Sequence, residues 1–234
     1  YYLHHFIRND ELIEKYEMPV LGYTPEHNAY PYNYMIGSEA QRRDAVDYLK
    51  LSLEMAKEMG AEFVLTSPAN GEYLATYDQL WSRLEKNIQE LGDYAAKLEI
   101  KLVVEALTPY ESNFFTRAND LVELFRRVDN PYVVGMCDIV PPFVQHESIM
   151  AYFDKLGNKM DHMHIIDGEN GSDTHLIPGE GNIPIKEMLY EMKRIGYDKT
   201  ATLELVTNYI NEPRFYAKRA IDNMRELMAE AGIV

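Results

Sequence analysis

The 234-residue chain has little that would crosslink it or attract it to an anionic partner. Its one cysteine, Cys137, excludes an internal disulfide and suits a reducing compartment. Lys and Arg number 23 against 38 for Asp and Glu, and the net charge of −15 repels phosphate backbones and anionic membranes. No segment approaches the roughly 20 apolar residues of a membrane span, and the first residues show no signal-peptide pattern. We therefore expect a cytoplasmic protein that binds neither nucleic acid nor membrane.

Two further absences concern the fold. No linker rich in Pro, Gly or Ser divides the chain, and no G-x-G-x-x-G follows a predicted strand. Strands and helices instead alternate through a single predicted domain, residues 1–234. The apolar patterns predict strands at residues 19–24, 63–66, 100–107, 132–140, 160–166 and 200–206. Helices are predicted at residues 11–17, 38–59, 77–97, 117–128, 147–156, 184–195 and 213–231.

This alternation predicts a parallel α/β sheet covered by helices. The sheet is either a closed (β/α)8 TIM barrel or an open doubly wound sheet. Six predicted strands are two fewer than a barrel contains, and the irregular start without Met suggests that the first one or two β/α units are missing from the chain. We expect an N-terminally incomplete barrel, and a six-stranded open sheet is the alternative.

Four ligand-type side chains interrupt the apolar strands near their carboxyl ends: Glu105, Asp138, His164 and Glu204. A buried charge costs several kcal/mol unless it is paired or bound to a metal. In a flat sheet, strands about 4.8 Å apart would spread four such residues over roughly 14 Å, too far for one ion held at about 2 Å. A barrel brings them around one axis. One imidazole and three carboxylates suit Mn²⁺, Co²⁺ or Mg²⁺; we expect Mn²⁺, with Ni²⁺ and Zn²⁺ also open.

The two glutamates lie on strands well apart in the predicted order, so they can approach a bound molecule from opposite sides. A metal that binds a ketone oxygen and the neighbouring hydroxyl acidifies the C–H between them. If one glutamate removes this proton and the other returns it on the opposite face, the reaction is an epimerisation. If the same group returns it to the neighbouring carbon, the reaction is an aldose–ketose isomerisation. The residues alone leave both reactions open.

The chain resembles the xylose-isomerase-like sugar isomerases and epimerases, and among them the fructoselysine 3-epimerase branch. The stretches that carry the resemblance are GYTPEHNAYPYNYMIG, VEALTPYESN, CDIVPPFVQ, HMHIID, SDTHLIPGEG and ELVTNYINEPRFYAKRAI. It implies an eight-stranded barrel with one catalytic divalent ion bound by Glu105, Asp138, His164 and Glu204. It also implies that Glu105 and Glu204 act as the acid/base pair in C3 epimerisation of a ketose derivative of the fructoselysine or psicoselysine type.

Five residues are predicted to contact the substrate: Glu111, His175, Tyr110, Arg214 and His27. The resemblance implies the role of Glu111, which lies six residues after Glu105, where related ketohexose 3-epimerases have a substrate-contacting glutamate. His175 follows Asp173 in a polar loop, and this pair could instead bind a second metal or form an Asx turn. Arg214 lies at a predicted helix start, and the alternative interpretation is that its side chain is a solvated surface charge.

Two positions depart from the ketohexose 3-epimerase pattern. Pro141 replaces a histidine and Asn170 replaces an arginine, which puts specificity for free ketohexoses in question. The acidic chain favours a sugar or sugar-amine substrate with a cationic tail over a phosphosugar. A ketose–aldose isomerase, an apurinic-site endonuclease with three metals, and a non-catalytic sugar-binding protein are the alternative functions. The sequence leaves a homo-oligomer open.

Overall fold

The computed structural model describes residues 13, 15–29, 31–169 and 171–233. Its strands are β1 (Gly22–Tyr23), β2 (Phe63–Thr66), β3 (Lys101–Val104), β4 (Val133–Asp138), β5 (Met160–His164) and β6 (Thr200–Thr202). Its α-helices are α1 (Glu39–Glu58), α2 (Tyr77–Leu98), α3 (Ala118–Arg127), α4 (Val140–Val144), α5 (Met150–Leu156), α6 (Ile185–Ile195) and α7 (Pro213–Glu230). Short 3₁₀ helices cover Gly157–Lys159 and Thr207–Tyr209. Of the helix predicted at residues 11–17, residues 13 and 15–17 are described, and residues 13, 15 and 16 are helical.

The six strands form one parallel sheet in the order of the chain, β1-β2-β3-β4-β5-β6. A doubly wound sheet reverses its strand order at a switch point, and this sheet has no such reversal among the described strands. The open doubly wound alternative is therefore wrong. Winding in one direction, with helices between successive strands, is the barrel arrangement.

Side-chain contacts across the sheet show that it curls. The rings of Phe63 on β2 and His162 on β5 lie 4.7 Å apart between centroids. These strands are separated by two others, so in a flat sheet they would be roughly 14 Å apart. The concave face of the sheet is filled by a compact apolar cluster, to which Leu21, Phe63, Leu65, Val103, Val134 and Met136 belong. The curled sheet confirms the predicted TIM-barrel class.

The convex face of the sheet packs against the helices. Val64, Leu102 and Cys137, which alternate with concave-face residues, belong to the main buried core together with Leu49 of α1 and Ile88 of α2. Both faces of β2, β3, β4 and β5 are thus covered, which explains why these strands are almost continuously apolar in sequence. Within the described residues, no helix combines the length and the apolar character needed to cross a membrane.

The strands except β2 are shorter than the sequence predicts, because the apolar runs extend beyond the residues whose backbones pair. The helix α4 lies between the strand predicted to end at residue 140 and the helix predicted to begin at residue 147, where the sequence predicts no helix. Pro141 and Pro142 lie in the first turn of α4, where a backbone N–H has no partner within the helix and its loss costs little. The fold therefore turns into a helix directly after Asp138.

Candidate metal centre and active site

The alternation of side chains along a strand brings the four predicted ligands to one place. Each lies two residues after a residue of the concave face, so its side chain points the same way. The pairs are Val103 and Glu105, Met136 and Asp138, His162 and His164, and Thr202 and Glu204. All four ligand-type side chains therefore converge at the carboxyl end of the sheet, where TIM barrels carry their active sites.

The distances within this cluster suit a metal ion. The His164 Nδ1 atom lies 3.4 Å from Glu105 Oε1 and 3.1 Å from Glu204 Oε2. Ligand atoms of Glu105, Asp138 and His164 all lie within 4.8 Å of one another. Atoms bound to one ion at about 2.0–2.2 Å are separated by about 3–4 Å. His164 Nδ1 is buried without an aligned hydrogen-bond partner among the described residues, so the residues fit a divalent cation.

The electrostatics of the cluster show how strongly it attracts positive charge. Burial, and then the charges of Glu204 and Glu105, raise the pKa of Asp138 well above its usual value. Burial alone would lower the pKa of His164, but the adjacent carboxylates of Glu105 and Glu204 outweigh it and raise that pKa well above its usual value. Burial raises the pKa of Glu204, but hydrogen bonding to His164 and His175 lowers it overall. The carboxylates thus require protons on the imidazoles or a cation between them.

The loop between β5 and α6 is organised around the buried Asp167. Its backbone N–H and C=O pair with those of Leu176 at 2.7 Å each, forming a small antiparallel bridge. Asp167 Oδ1 accepts hydrogen bonds from the backbone N–H groups of Gly168 and Ile183, and Oδ2 accepts one from Gly179. A Cβ at Gly181 would lie 2.4 Å from Asp167 Oδ1, which explains the second glycine of the PGEG sequence.

This loop places His175 directly against the cluster. Its Nε2 atom lies 3.3 Å from Glu204 Oε2 and 3.8 Å from Asp138 Oδ2, and its Nδ1 lies 3.0 Å from Asp173 Oδ1. Burial would lower the pKa of His175, but Asp173 and Glu204 raise it to about 11. Asp138, His175 and Glu204 form a second group of mutually close ligand atoms. The sequence singled out His175, but not its contact with two predicted ligands, which depends on the fold of the loop.

Glu111 and Tyr110 lie on the loop after β3. The Thr108 hydroxyl is 2.9 Å from Glu111 Oε2 and 3.1 Å from Asp173 Oδ2, so Glu111 is connected to the His175 loop through one hydroxyl. Burial, and then the charge of Asp173, raise the pKa of Glu111. Tyr110 is exposed and its hydroxyl donates to the carbonyl of Gly171 at 2.8 Å. The two loops are therefore joined on one side of the cluster.

His27 is buried in the loop after β1. Its Nδ1 lies 2.7 Å from the carbonyl oxygen of Pro25, and its Nε2 has no hydrogen-bond partner among the described residues. Burial lowers the pKa of His27, so the ring is neutral and, because a carbonyl accepts, Nε2 is an open acceptor. Arg214 differs: it is exposed near the start of α7 and makes no ion pair with the cluster among the described residues.

His162 lies on the same face as His164 but takes no part in the cluster. Its two ring nitrogens are 2.8 Å from Thr200 Oγ1 and 3.1 Å from Thr202 Oγ1, and burial lowers its pKa to about 4. The ring also packs against Phe63. His162 thus joins β5 to β6 below the cluster.

The curled parallel sheet and the cluster of ligand-type side chains at its carboxyl end together indicate the class of protein. Residues 8–227 match the family model of the xylose isomerase-like TIM barrel, and the chain belongs to this family. The resemblance seen in the sequence is thereby confirmed.

Particular relatives are similar over most of the chain. It is 47% identical over 219 residues to fructoselysine 3-epimerase of Shigella flexneri, covering 94% of this chain and 79% of that protein. It is 23% identical over 123 residues to D-psicose 3-epimerase of Enterocloster bolteae, covering 53% of this chain and 39% of that protein.

Solved structures share the fold at low sequence identity. A D-tagatose 3-epimerase-like protein superposes with a TM-score of 0.80 at 22% identity, covering 95% of this chain and 81% of that one. The IOLI protein, whose crystal structure contains a bound zinc atom, superposes with a TM-score of 0.76 at 19% identity. The match covers 98% of this chain and 83% of that one. The chain therefore shares the fold of sugar epimerase-like proteins.

Proposed function

We propose that the protein is a metal-dependent sugar 3-epimerase that acts on a ketose derivative of the fructoselysine type. The observation that carries this proposal is the convergence of Glu105, Asp138, His164 and Glu204 at the carboxyl end of the curled sheet. The 47% identity to a fructoselysine 3-epimerase over most of both chains supports the reaction and the substrate class.

In this proposal the four side chains hold one divalent ion, Mn²⁺ by preference for an oxygen-rich set with one imidazole. Such an ion supplies Lewis-acid polarisation of the ketone oxygen and so acidifies the C3–H bond. The zinc atom of the IOLI protein supports a divalent ion in this fold, but it does not select the metal. Co²⁺, Mg²⁺, Ni²⁺ and Zn²⁺ remain candidates for the same ligands.

Glu105 and Glu204 act as the acid/base pair. They extend from β3 and from the segment after β6, and both lie within 3.4 Å of the same His164 nitrogen. Their strands are not neighbours in the sheet, so the two carboxylates can face a bound sugar from different sides. One removes the proton from C3 and the other delivers a proton to the opposite face. The product is the C3 epimer, and the ketone is retained.

The residues that we propose to contact the substrate are assigned from their positions near the cluster. Glu111 is held through Thr108 beside Asp173, and His27 offers an open Nε2 acceptor to a sugar hydroxyl. Tyr110 lies exposed over the loop that carries His175. The net charge of −15 attracts a cationic sugar-amine. Arg214 is exposed and forms no ion pair or hydrogen bond with the other four among the described residues, so it would meet the substrate from the solvent side.

The experiment is product identification with fructoselysine. The purified protein is stripped of metal with EDTA, reloaded with Mn²⁺, and incubated with the substrate, and the products are identified by NMR. We expect psicoselysine, no conversion by the stripped protein, and recovery on reloading. An aldose product would instead support the ketose–aldose isomerase. Cleavage of DNA at abasic sites, or binding of fructoselysine without conversion in the presence of each candidate metal, would contradict the proposal.

A further inference from the structure

We propose that His175 is a fifth protein ligand of the same metal ion in the substrate-free protein, with Asp173 as the outer carboxylate that orients its ring. The inference is based on two contacts of the His175 ring. Its Nε2 atom faces the carboxylates of Glu204 and Asp138, and its Nδ1 atom faces the carboxylate of Asp173. The inference rests on the proposed metal-dependent function and extends its four-ligand site.

The two ring nitrogens of His175 have different surroundings. Nδ1 lies 3.0 Å from Asp173 Oδ1, which has no aligned hydrogen-bond partner among the described residues, so a small rotation of the ring would let an Nδ1–H donate to it. Nε2 then has a lone pair that faces the Glu204 and Asp138 oxygens at 3.3 and 3.8 Å. In this tautomer Nε2 is placed to bind the same cation as the two carboxylates. A carboxylate behind a ligating imidazole is also the usual outer partner of a metal-bound histidine.

The two groups of close ligand atoms overlap, which favours one shared ion. Bonds of about 2.0–2.2 Å at angles of about 90–120° separate neighbouring ligand atoms by about 2.9–3.8 Å. Glu204 Oε2 lies 3.1 Å from His164 Nδ1 and 3.3 Å from His175 Nε2, so the two imidazoles flank the same oxygen. Asp138 belongs to both groups of close ligand atoms. Asp138, which is common to both groups, and Glu204 Oε2, which contacts both imidazoles, connect the two groups.

The backbone around His175 holds the ring in this place. His175 has a left-handed backbone, with φ of 43°, directly before the bridge between Leu176 and Asp167. The carbonyl of the preceding Thr174 accepts a hydrogen bond from the Asn208 side chain at 2.8 Å. Of the five side chains, His175 is the one borne by a long loop and not by a strand or its immediate end. A six-coordinate ion would keep one position, so a substrate that chelates through two oxygens has to displace one ligand.

The test counts the imidazole nitrogens bound to Mn²⁺ by pulsed EPR of the loaded, substrate-free protein. We expect two nitrogens in the wild type, one in His175→Gln, and two in the matched control His146→Gln, whose histidine is exposed. Competition with a chelator measures Mn²⁺ affinity alongside. We expect His175→Gln and Asp173→Asn each to weaken Mn²⁺ binding by about 10- to 100-fold. Glu169→Gln, an exposed carboxylate in the same loop, leaves the affinity unchanged.

One nitrogen in the wild type, or two Mn²⁺ ions per chain, would overturn the inference. The wild-type count needs no variant, so it decides the question even if His175→Gln does not fold. Failure of the inference is distinguishable from failure of the proposed function: conversion of fructoselysine with one bound nitrogen rejects only the fifth ligand. Two bound nitrogens without conversion under any candidate metal would reject the epimerase and leave the ligand assignment intact.

Discussion

Among the five clustered side chains, Glu204 is the most accessible to a substrate. Its side chain is 36% exposed, whereas those of Glu105 and Asp138 are each 7% exposed. It also contacts both imidazoles, at 3.1 and 3.3 Å. A general base needs access to the carbon acid, and a ligand needs contact with the ion, so Glu204 is placed for both roles.

The first prediction concerns Glu204→Gln. The amide keeps the shape of the side chain but cannot accept the C3 proton, so we expect turnover of fructoselysine to fall by at least about 10²- to 10⁴-fold. Circular dichroism should show an unchanged fold. Glu187→Gln on the outer surface of α6 is the matched control and should keep full turnover. Unchanged turnover in Glu204→Gln would reject the acid/base assignment.

The loop between β5 and α6 is the element that completes the site. Asp167 holds it by three backbone N–H groups, and the Asp167–Leu176 bridge places His175 one residue before its end. The loop is therefore held by the buried Asp167 side chain as well as by the buried apolar side chains of Ile177 and Ile183. Changes at Asp167 and its neighbours should affect both stability and metal binding.

Asp167→Ala is the second prediction. The substitution leaves three backbone N–H groups without their acceptor, so we expect the free energy of unfolding to fall by about 2–4 kcal/mol, measured by urea denaturation in EDTA. Mn²⁺ affinity should fall as well, because His175 and Asp173 lose their fixed position. Glu169→Ala, exposed in the same loop, should change neither quantity. A fully stable Asp167→Ala would show that the hydrogen bonds do not hold the loop.

A pair of glycines gives the third prediction. In Gly181→Ala the new Cβ would lie 2.4 Å from Asp167 Oδ1 and 2.5 Å from the Gly168 carbonyl oxygen, so we expect a loss of about 1–3 kcal/mol in the free energy of unfolding. In Gly168→Ala the nearest atom is at 3.6 Å, and we expect a change within about 0.5 kcal/mol. Urea denaturation of both variants checks the difference. Equal stabilities would contradict the packing described around Asp167.

Local sequence signals predicted some elements well and missed others for identifiable reasons. The caps of α1 and α2 are capping boxes made by Ser38 with Gln41 and by Thr76 with Gln79, in agreement with the helix starts predicted at residues 38 and 77. The helix α4 was missed because two prolines suit a first helical turn as well as a strand end. The contacts of His175 depend on the Asp167–Leu176 bridge, which no local pattern encodes.

At the scale of the whole molecule, the cluster draws on four consecutive strands. Glu105, Asp138, His164 and Glu204 lie near the carboxyl ends of mainly apolar runs, so both the barrel class and the convergence of these four side chains could be predicted from the sequence. The curl that brings β2 within contact of β5 was inferred only because a flat sheet would separate the ligands too far. An ion held there would join strands β3 to β6.

The fourth prediction follows from this shared ion. Because the unfolded chain does not preserve the site, Mn²⁺ at about 100 times its dissociation constant should raise the free energy of unfolding by about 2.7 kcal/mol. Asp138→Asn, which removes a carboxylate common to both ligand groups, should lose most of this increment, and His146→Gln should keep it. Urea denaturation with Mn²⁺ and with EDTA measures the increment. Equal midpoints under both conditions would indicate that the ligands do not form one site.

The central claim is that Glu105 and Glu204 exchange the C3 proton of a ketose at a bound metal ion. Incubating fructoselysine in D₂O with the Mn²⁺-loaded protein and locating deuterium by NMR tests it most directly. The account predicts deuterium at C3 of both the recovered substrate and its epimer, with the ketone retained, and no incorporation by the metal-stripped protein. Deuterium at C1 with an aldose product, or C3 incorporation that persists after the metal is removed, would contradict it.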